Sequence, residues 1–241
     1  MNESRERLIV ALDVPDRAAA LAAVEKLSGH IGTFKVGLEI FVREGPRLVE
    51  EIRARGENVF LDLKLHDIPN TVAGAVRSAC GLGIQMLTLH AAGGKKMLEA
   101  ARDAAAASGH MPLLLAVTAL TSLSQEDISN IGVPMSAASW VERLAGLAIE
   151  AGIEGLVASP LELPLLRAKF GRQMKLVIPG IRPSGTAAQD QSRTAQPSDA
   201  IRAGADYLVV GRPILQAPDP AAAADRIAGE IAHALSRPSF P

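Results

Sequence analysis

Short apolar runs recur eight times along this chain, at Leu8–Leu12, Thr33–Val36, Asn58–Lys64, Met86–His90, Leu113–Thr118, Gly155–Ala158, Lys175–Ile178 and Tyr207–Gly211. They are leucine-rich or β-branched and mostly lack apolar–polar alternation, the pattern of strands covered on both faces. Helical start and stop signals fill the gaps. Pro46 suits a first helical position, and Gly56 falls just past the last turn. Ser159-Pro160-Leu161-Glu162 reads as a capping box, and Asp219 before Pro220 opens an alanine-rich final helix. Gly81, Gly152 and Gly204 are placed to end helices. Eight strand–helix units with no linker predict an α/β fold, one (β/α)8 TIM barrel spanning residues 1–241 as a single domain. A doubly wound open sheet is the rival; the count of eight favours the barrel.

Composition narrows what such a barrel does. The net charge of -1 offers no basic excess for nucleic acid or an anionic membrane. Aromatic residues make up 3%, too few for base-stacking platforms. The single cysteine, Cys80, excludes an internal disulfide and lies in an apolar helical pattern that reads as core. Before Asp13 the only apolar run is Leu8–Leu12, too short for a secretory h-region. No run approaches a membrane span. The expectation is a cytoplasmic protein acting on a small molecule.

The third run then breaks its own pattern. In Val59–Thr71, VFLDLKLHDIPNT, Asp62, Lys64 and Asp67 place three charges in or just past a buried strand. Charge removed from water is costly unless paired or used. Active sites of such barrels lie at the C-terminal ends of the strands. Asp13 ends the first run and Lys35 lies near the end of the second, so five charges are expected on one rim of three successive strands. Strand alternation puts Asp62 and Lys64 on one face. A structural ion-pair network is the plain alternative. Exposed helices are where such pairs are cheap, so a site is the better reading.

A second feature points the same way. Val209–Pro213, VVGRP, is an apolar strand ending in Gly211-Arg212, and Arg182 follows the seventh run in PGIRPSG. The loops after strands seven and eight form the usual phosphate site of these barrels. Glycine allows close backbone approach, and arginine offers a forked cation to a dianion. Residues 182–197 form one long polar loop, and loops of that length in compact domains are more often functional than idle. The five histidines show no metal-ligand spacing. Ser136 and Ser159 read as helix caps. A lysine lodged between carboxylates, facing a phosphate grip, suits chemistry that builds negative charge on carbon and then protonates it.

LDLKLHDIPNT resembles the signature of the orotidine 5'-phosphate decarboxylase family. ALDV at residues 11–14, FKVGLE at 34–39, VTALTS at 117–122, PGIRP at 179–183, DQSR at 190–193 and VVGRP follow in the family's order. D-x-K-x-x-D alone is shared with metal-using barrels that act on sugar phosphates; HDIPNT and PGIRP favour the pyrimidine enzyme. The resemblance implies decarboxylation of orotidine 5'-monophosphate to uridine 5'-monophosphate in de novo pyrimidine synthesis, with no cofactor and no metal. It implies Lys64 as proton donor, with Asp62 against the substrate carboxylate and Lys35 and Asp67 completing the network. Asp13 and Lys35 would hold ribose hydroxyls, and Thr121, or Ser122, the pyrimidine. Arg182, Gln191, Gly211 and Arg212 would surround the phosphate. Asp67, Ile68 and Thr71 belong to the substrate site, and Asp67 and Thr71 reach into a partner subunit's, so a homodimer with shared sites is implied. A metal-dependent sugar-phosphate enzyme and a non-catalytic phosphosugar-binding barrel are the competing functions.

Overall fold

The computed structural model describes residues 3–183 and 194–236. Eight strands form its centre: β1 Leu8–Ala11, β2 Thr33–Gly37, β3 Val59–Leu65, β4 Met86–His90, β5 Leu113–Val117, β6 Gly155–Val157, β7 Lys175–Ile178 and β8 Tyr207–Val210. All pairings are parallel, each strand lies beside its sequence neighbour, and β8 returns to β1. The sheet is a closed (β/α)8 barrel, so no strand edge is left open.

Side-chain parity explains how the strands are buried. Leu8, Val10 and Leu12 of the first strand region face the helices, as do Phe34, Val36, Val59 and Leu61. The alternate residues Ile9, Ala11, Phe60, Met86, Leu115, Val177 and Val209 pack together inside the barrel as an apolar plug. Both sets are apolar because both faces are covered. One inward step beyond the plug, at the C-terminal mouth, the residues change character: Asp13 follows Ala11, Asp62 follows Phe60, Thr88 follows Met86, and Gly211 follows Val209.

The helices start where their sequence signals lie. Pro46 opens the helix Pro46–Ala54. Asp219 accepts a hydrogen bond from the Ala222 N–H at the start of Pro220–Leu235. Ser159 and Glu162 form a capping box around a 3-10 turn, which runs on into the helix Leu163–Phe170. Gly152 and Gly204 take positive φ just beyond helix ends, where a side chain would be strained. Cys80 is buried in the helix Pro69–Cys80. Among the described residues no helix is long and apolar enough to cross a membrane.

Candidate active site

A cavity of about 250 Å³ opens at the barrel mouth. Its floor is the top of the plug, with Ala11, Phe60 and Val209 among the lining residues. Asp13, Lys35, Asp62 and Lys64 supply one wall, from the ends of β1, β2 and β3. Arg182 follows β7 and Arg212 follows β8, the strand beside β1, both on the lining with Gly180 and Gly211. Thr121 completes the lining after β5. Ser122 is exposed and does not line the cavity.

The wall is a row of alternating charge. Lys35 Nζ lies 3.5 Å from Asp13 Oδ1 and 3.5 Å from Asp62 Oδ2. Lys64 Nζ lies 2.9 Å from Asp62 Oδ1. The Lys35 and Asp62 side chains are 12% and 13% exposed, while Lys64, facing the cavity, is 36% exposed. Burial pushes the Asp62 carboxyl toward its neutral form. The combined charges of Lys35 and Lys64, with hydrogen bonds from Lys64 and Thr88, outweigh that and hold it below the usual carboxylate range. Asp62 is therefore an anion in a nearly dry place, kept so by its neighbours. His90, half-buried at the end of β4, is shifted down by burial, then by His66 and Lys64, against the pull of Asp62. His66 itself is exposed. Among the described residues no group of three or more His, Cys, Asp or Glu could hold a metal ion.

The strand that carries Asp62 and Lys64 is irregular. The register of β3 on β4 shifts between Leu61 and Leu65, a bulge. Lys64 has φ 52°, the one positive φ at a non-glycine among the described residues. Such a conformation costs roughly 1–3 kcal/mol and persists only where its surroundings impose it. Simple alternation therefore does not bring Asp62 and Lys64 together; the bulge re-aims the lysine, and the two side chains meet across it. The Lys64 N–H donates to Thr88 Oγ1 at 2.8 Å, and the Thr88 hydroxyl donates to Asp62 Oδ1 at 2.9 Å.

Within one chain four of the five expected charges converge, not five. Beyond the bulge the chain turns outward to start the helix Pro69–Cys80. Asp67 Oδ1 accepts from the Ile68 N–H at 2.6 Å and is exposed, as are Ile68 and Thr71; none lines the cavity. Gln191 lies outside the described residues. Two residues that shape the site carried no sequence signal of their own. Thr88 is hidden in MLTLH, where only its inward parity beside β3 marks it. Gly37, in register with Asp62, leaves room for Lys35: a Cβ there would lie 2.9 Å from Lys35 Nζ. Gly211 is similarly confined, its would-be Cβ 3.4 Å from Asp13 Oδ2.

A closed barrel whose mouth carries a carboxylate–lysine row on β1 to β3 and two arginines after β7 and β8 defines a class: α/β barrels with a concave, strand-end site that accepts an anionic small molecule. Residues 6–227 match the model of the Orotidine 5'-phosphate decarboxylase / HUMPS family, and the chain belongs to that family. An orotidine 5'-phosphate decarboxylase of Halorhodospira halophila is 52% identical over 228 residues, covering 95% of this chain and 97% of the relative. One from Moorella thermoacetica is 50% identical over 234 residues, covering 95% and 93%. The crystal structure of orotidine 5'-phosphate decarboxylase from Lactobacillus acidophilus superposes with a TM-score of 0.85 at 38% identity, covering 93% of this chain and 98% of that one.

Proposed function

We propose that this chain, residues 1–241 as one unit, decarboxylates orotidine 5'-monophosphate to uridine 5'-monophosphate in de novo pyrimidine synthesis, without a cofactor. The observation that carries the reading is the Asp13–Lys35–Asp62–Lys64 row, which ends in a lysine facing the cavity. The C6–carboxylate bond breaks, carbon dioxide leaves, and the electron pair stays on C6. The Lys64 ammonium stabilises that charge and delivers a proton to C6; water then restores the lysine. Asp62, anionic beside Lys64, disfavours retention of the substrate carboxylate and holds the lysine in line. Lys35, tied to both Asp13 and Asp62, couples the ribose contacts to the reacting end. Thr121 is placed to hydrogen-bond the pyrimidine. Arg182 and Arg212 take the phosphate, with Gly211 allowing close approach and Gln191 joining them. Phosphate contacts far from C6 supply binding energy realised in the transition state.

The same reading makes the enzyme a homodimer with shared sites, located in the cytosol. Ile68, Leu38 and Val42 are 66%, 58% and 77% exposed, large apolar groups near the rim that a second subunit would cover. Asp67 and Thr71, turned away from their own cavity, would then enter the partner's. Mixing Lys64→Ala and Asp67→Ala subunits tests this. Random exchange makes about half the dimers mixed, each with one intact site, so roughly a quarter of wild-type activity returns. No return after confirmed exchange means Asp67 acts within its own chain.

The absorbance change of orotidine 5'-monophosphate tests the activity itself, after exhaustive chelation and again with Mg²⁺. Turnover that survives chelation supports the proposal. Activity only on sugar phosphates, restored by Mg²⁺, favours the metal-using branch of the family. Binding without turnover of either substrate favours a non-catalytic barrel.

A further inference from the structure

Thr88 is completely buried on β4 and does not line the cavity, yet it touches both members of the reacting pair. Its hydroxyl has one proton and two lone pairs. The Lys64 main-chain N–H can only donate, so at 2.8 Å it takes a lone pair of Thr88 Oγ1. The hydroxyl proton is thereby free to point at Asp62 Oδ1, 2.9 Å away, which as a carboxylate can only accept. Asp62 Oδ1 also receives the Lys64 ammonium at 2.9 Å. The three bonds close a ring that ties the main chain of Lys64 to its own side chain through Thr88 and Asp62. This ring spans the bulge, where Lys64 holds its positive φ. Thr118, another buried threonine, makes a looser bond to a backbone carbonyl, Val157 O at 3.3 Å, and among the described residues reaches no charged group.

We propose that Thr88 is a positioning residue of the decarboxylation site: its hydroxyl locks the Asp62 carboxylate and the Lys64 main chain into one geometry and so sets where the Lys64 ammonium meets C6. The proposal rests on the decarboxylase reading. Without the hydroxyl, the Lys64 N–H loses its partner and Asp62 loses one of its donors. The strained lysine then has an incentive to relax toward ordinary strand geometry, which re-aims its side chain. The phosphate grip on the far side of the cavity does not depend on β4. The loss should therefore fall on turnover and leave substrate binding largely intact.

Two variants separate hydroxyl from packing. Thr88→Val keeps the shape and removes the hydroxyl; Thr88→Ser keeps the hydroxyl and removes the methyl. With orotidine 5'-monophosphate, Thr88→Val should lose about 10- to 100-fold in kcat, the scale of a hydrogen bond to a charged group, with KM within about threefold. Thr88→Ser should keep kcat within about threefold of wild type. A valine variant with near-wild-type kcat, or a serine variant that falls as far as valine, overturns the proposal. If Thr88→Val does not fold, Thr88→Ala against Thr88→Ser carries the test, since both lose the methyl and differ in the hydroxyl. Alanine should then lose about tenfold more kcat than serine, and equal values overturn the idea. Wild-type enzyme runs in the same assay. If it does not turn over, the decarboxylase reading has failed and the proposal falls with it, whatever the variants do.

Discussion

The barrel buries charge at both ends, and the two clusters are built to different rules. At the N-terminal end Arg167 is 5% exposed and uses all five guanidinium N–H donors. Nε donates to Gly204 O, Nη1 to Gly171 O and Met174 O, and Nη2 to Gly204 O and Asp206 Oδ2. Asp206 Oδ2 also accepts the Leu176 N–H at 2.8 Å. Every hydrogen atom of the cation is matched, and the bonds staple together the loops that lead into β7 and β8. At the C-terminal mouth the accounting is left open. Lys64 has three donors, yet among the described residues it pairs with one carboxylate. Its backbone is strained and its side chain faces a cavity. Burial of charge is common to both ends, so it does not by itself mark a site. A donor left unmatched beside a cavity, held there by a strained backbone, does.

Substitutions at the two ends should therefore fail in different ways. Arg167→Ala leaves Asp206 buried without its main partner and should cost about 3–5 kcal/mol of stability, read by denaturant unfolding. The fraction that folds should keep its kcat; a loss of kcat at unchanged stability would tie the lower cluster to catalysis and dissolve the contrast. Arg212→Ala, at the mouth, should reduce kcat/KM for orotidine 5'-monophosphate by about 100-fold through lost charge-assisted bonds, with little change in melting temperature. A substrate lacking the phosphate should respond far less. Equal losses on both substrates would make Arg212 structural.

Gly37→Ala sharpens the contrast further. The new Cβ would displace an ammonium that is pinned between two carboxylates. A drop of about tenfold in kcat/KM is expected, the scale of one charged hydrogen bond. Unchanged kinetics would show that Lys35 has slack. The smallest effect concerns pH. The folded carboxyl of Asp62 titrates below its ordinary value of 3.8, against the cost of burial, because the Lys35 and Lys64 charges and the Lys64 and Thr88 hydrogen bonds favour the anion. Its contribution to stability is thus full above pH 3.8 and is lost as pH falls below that through the folded pKa. Melting temperature against pH should fall less steeply there in Asp62→Asn than in wild type. Parallel curves would mean that Asp62 is not held ionised.

The barrel was legible because its strands are buried on both faces, which makes them short, apolar and countable. Their ends fell within a residue of those expected, as with Tyr207–Val210 against Tyr207–Gly211. Asp13, Lys35, Asp62 and Lys64 were legible because charge inside such runs is conspicuous. The bulge was not: nothing about a lysine announces a positive φ, and the partner that receives the Lys64 N–H, Thr88, lies on another strand. Gly37 was hidden because the reason for a missing side chain lies in the neighbour it spares. Asp67 was expected on the same rim because spacing along a chain does not say where the chain turns away. Here it turns at the bulge, and the carboxylate caps its own loop.

The contrast between the two ends comes down to Lys64. Its turnover and melting temperature, measured on one preparation of Lys64→Ala beside wild type, test it most directly. Removing the cation and proton donor should lower kcat by about 10⁴-fold or more, while the variant still folds, because Lys35 and Thr88 continue to hold Asp62. Near-normal turnover in that folded variant would contradict the account.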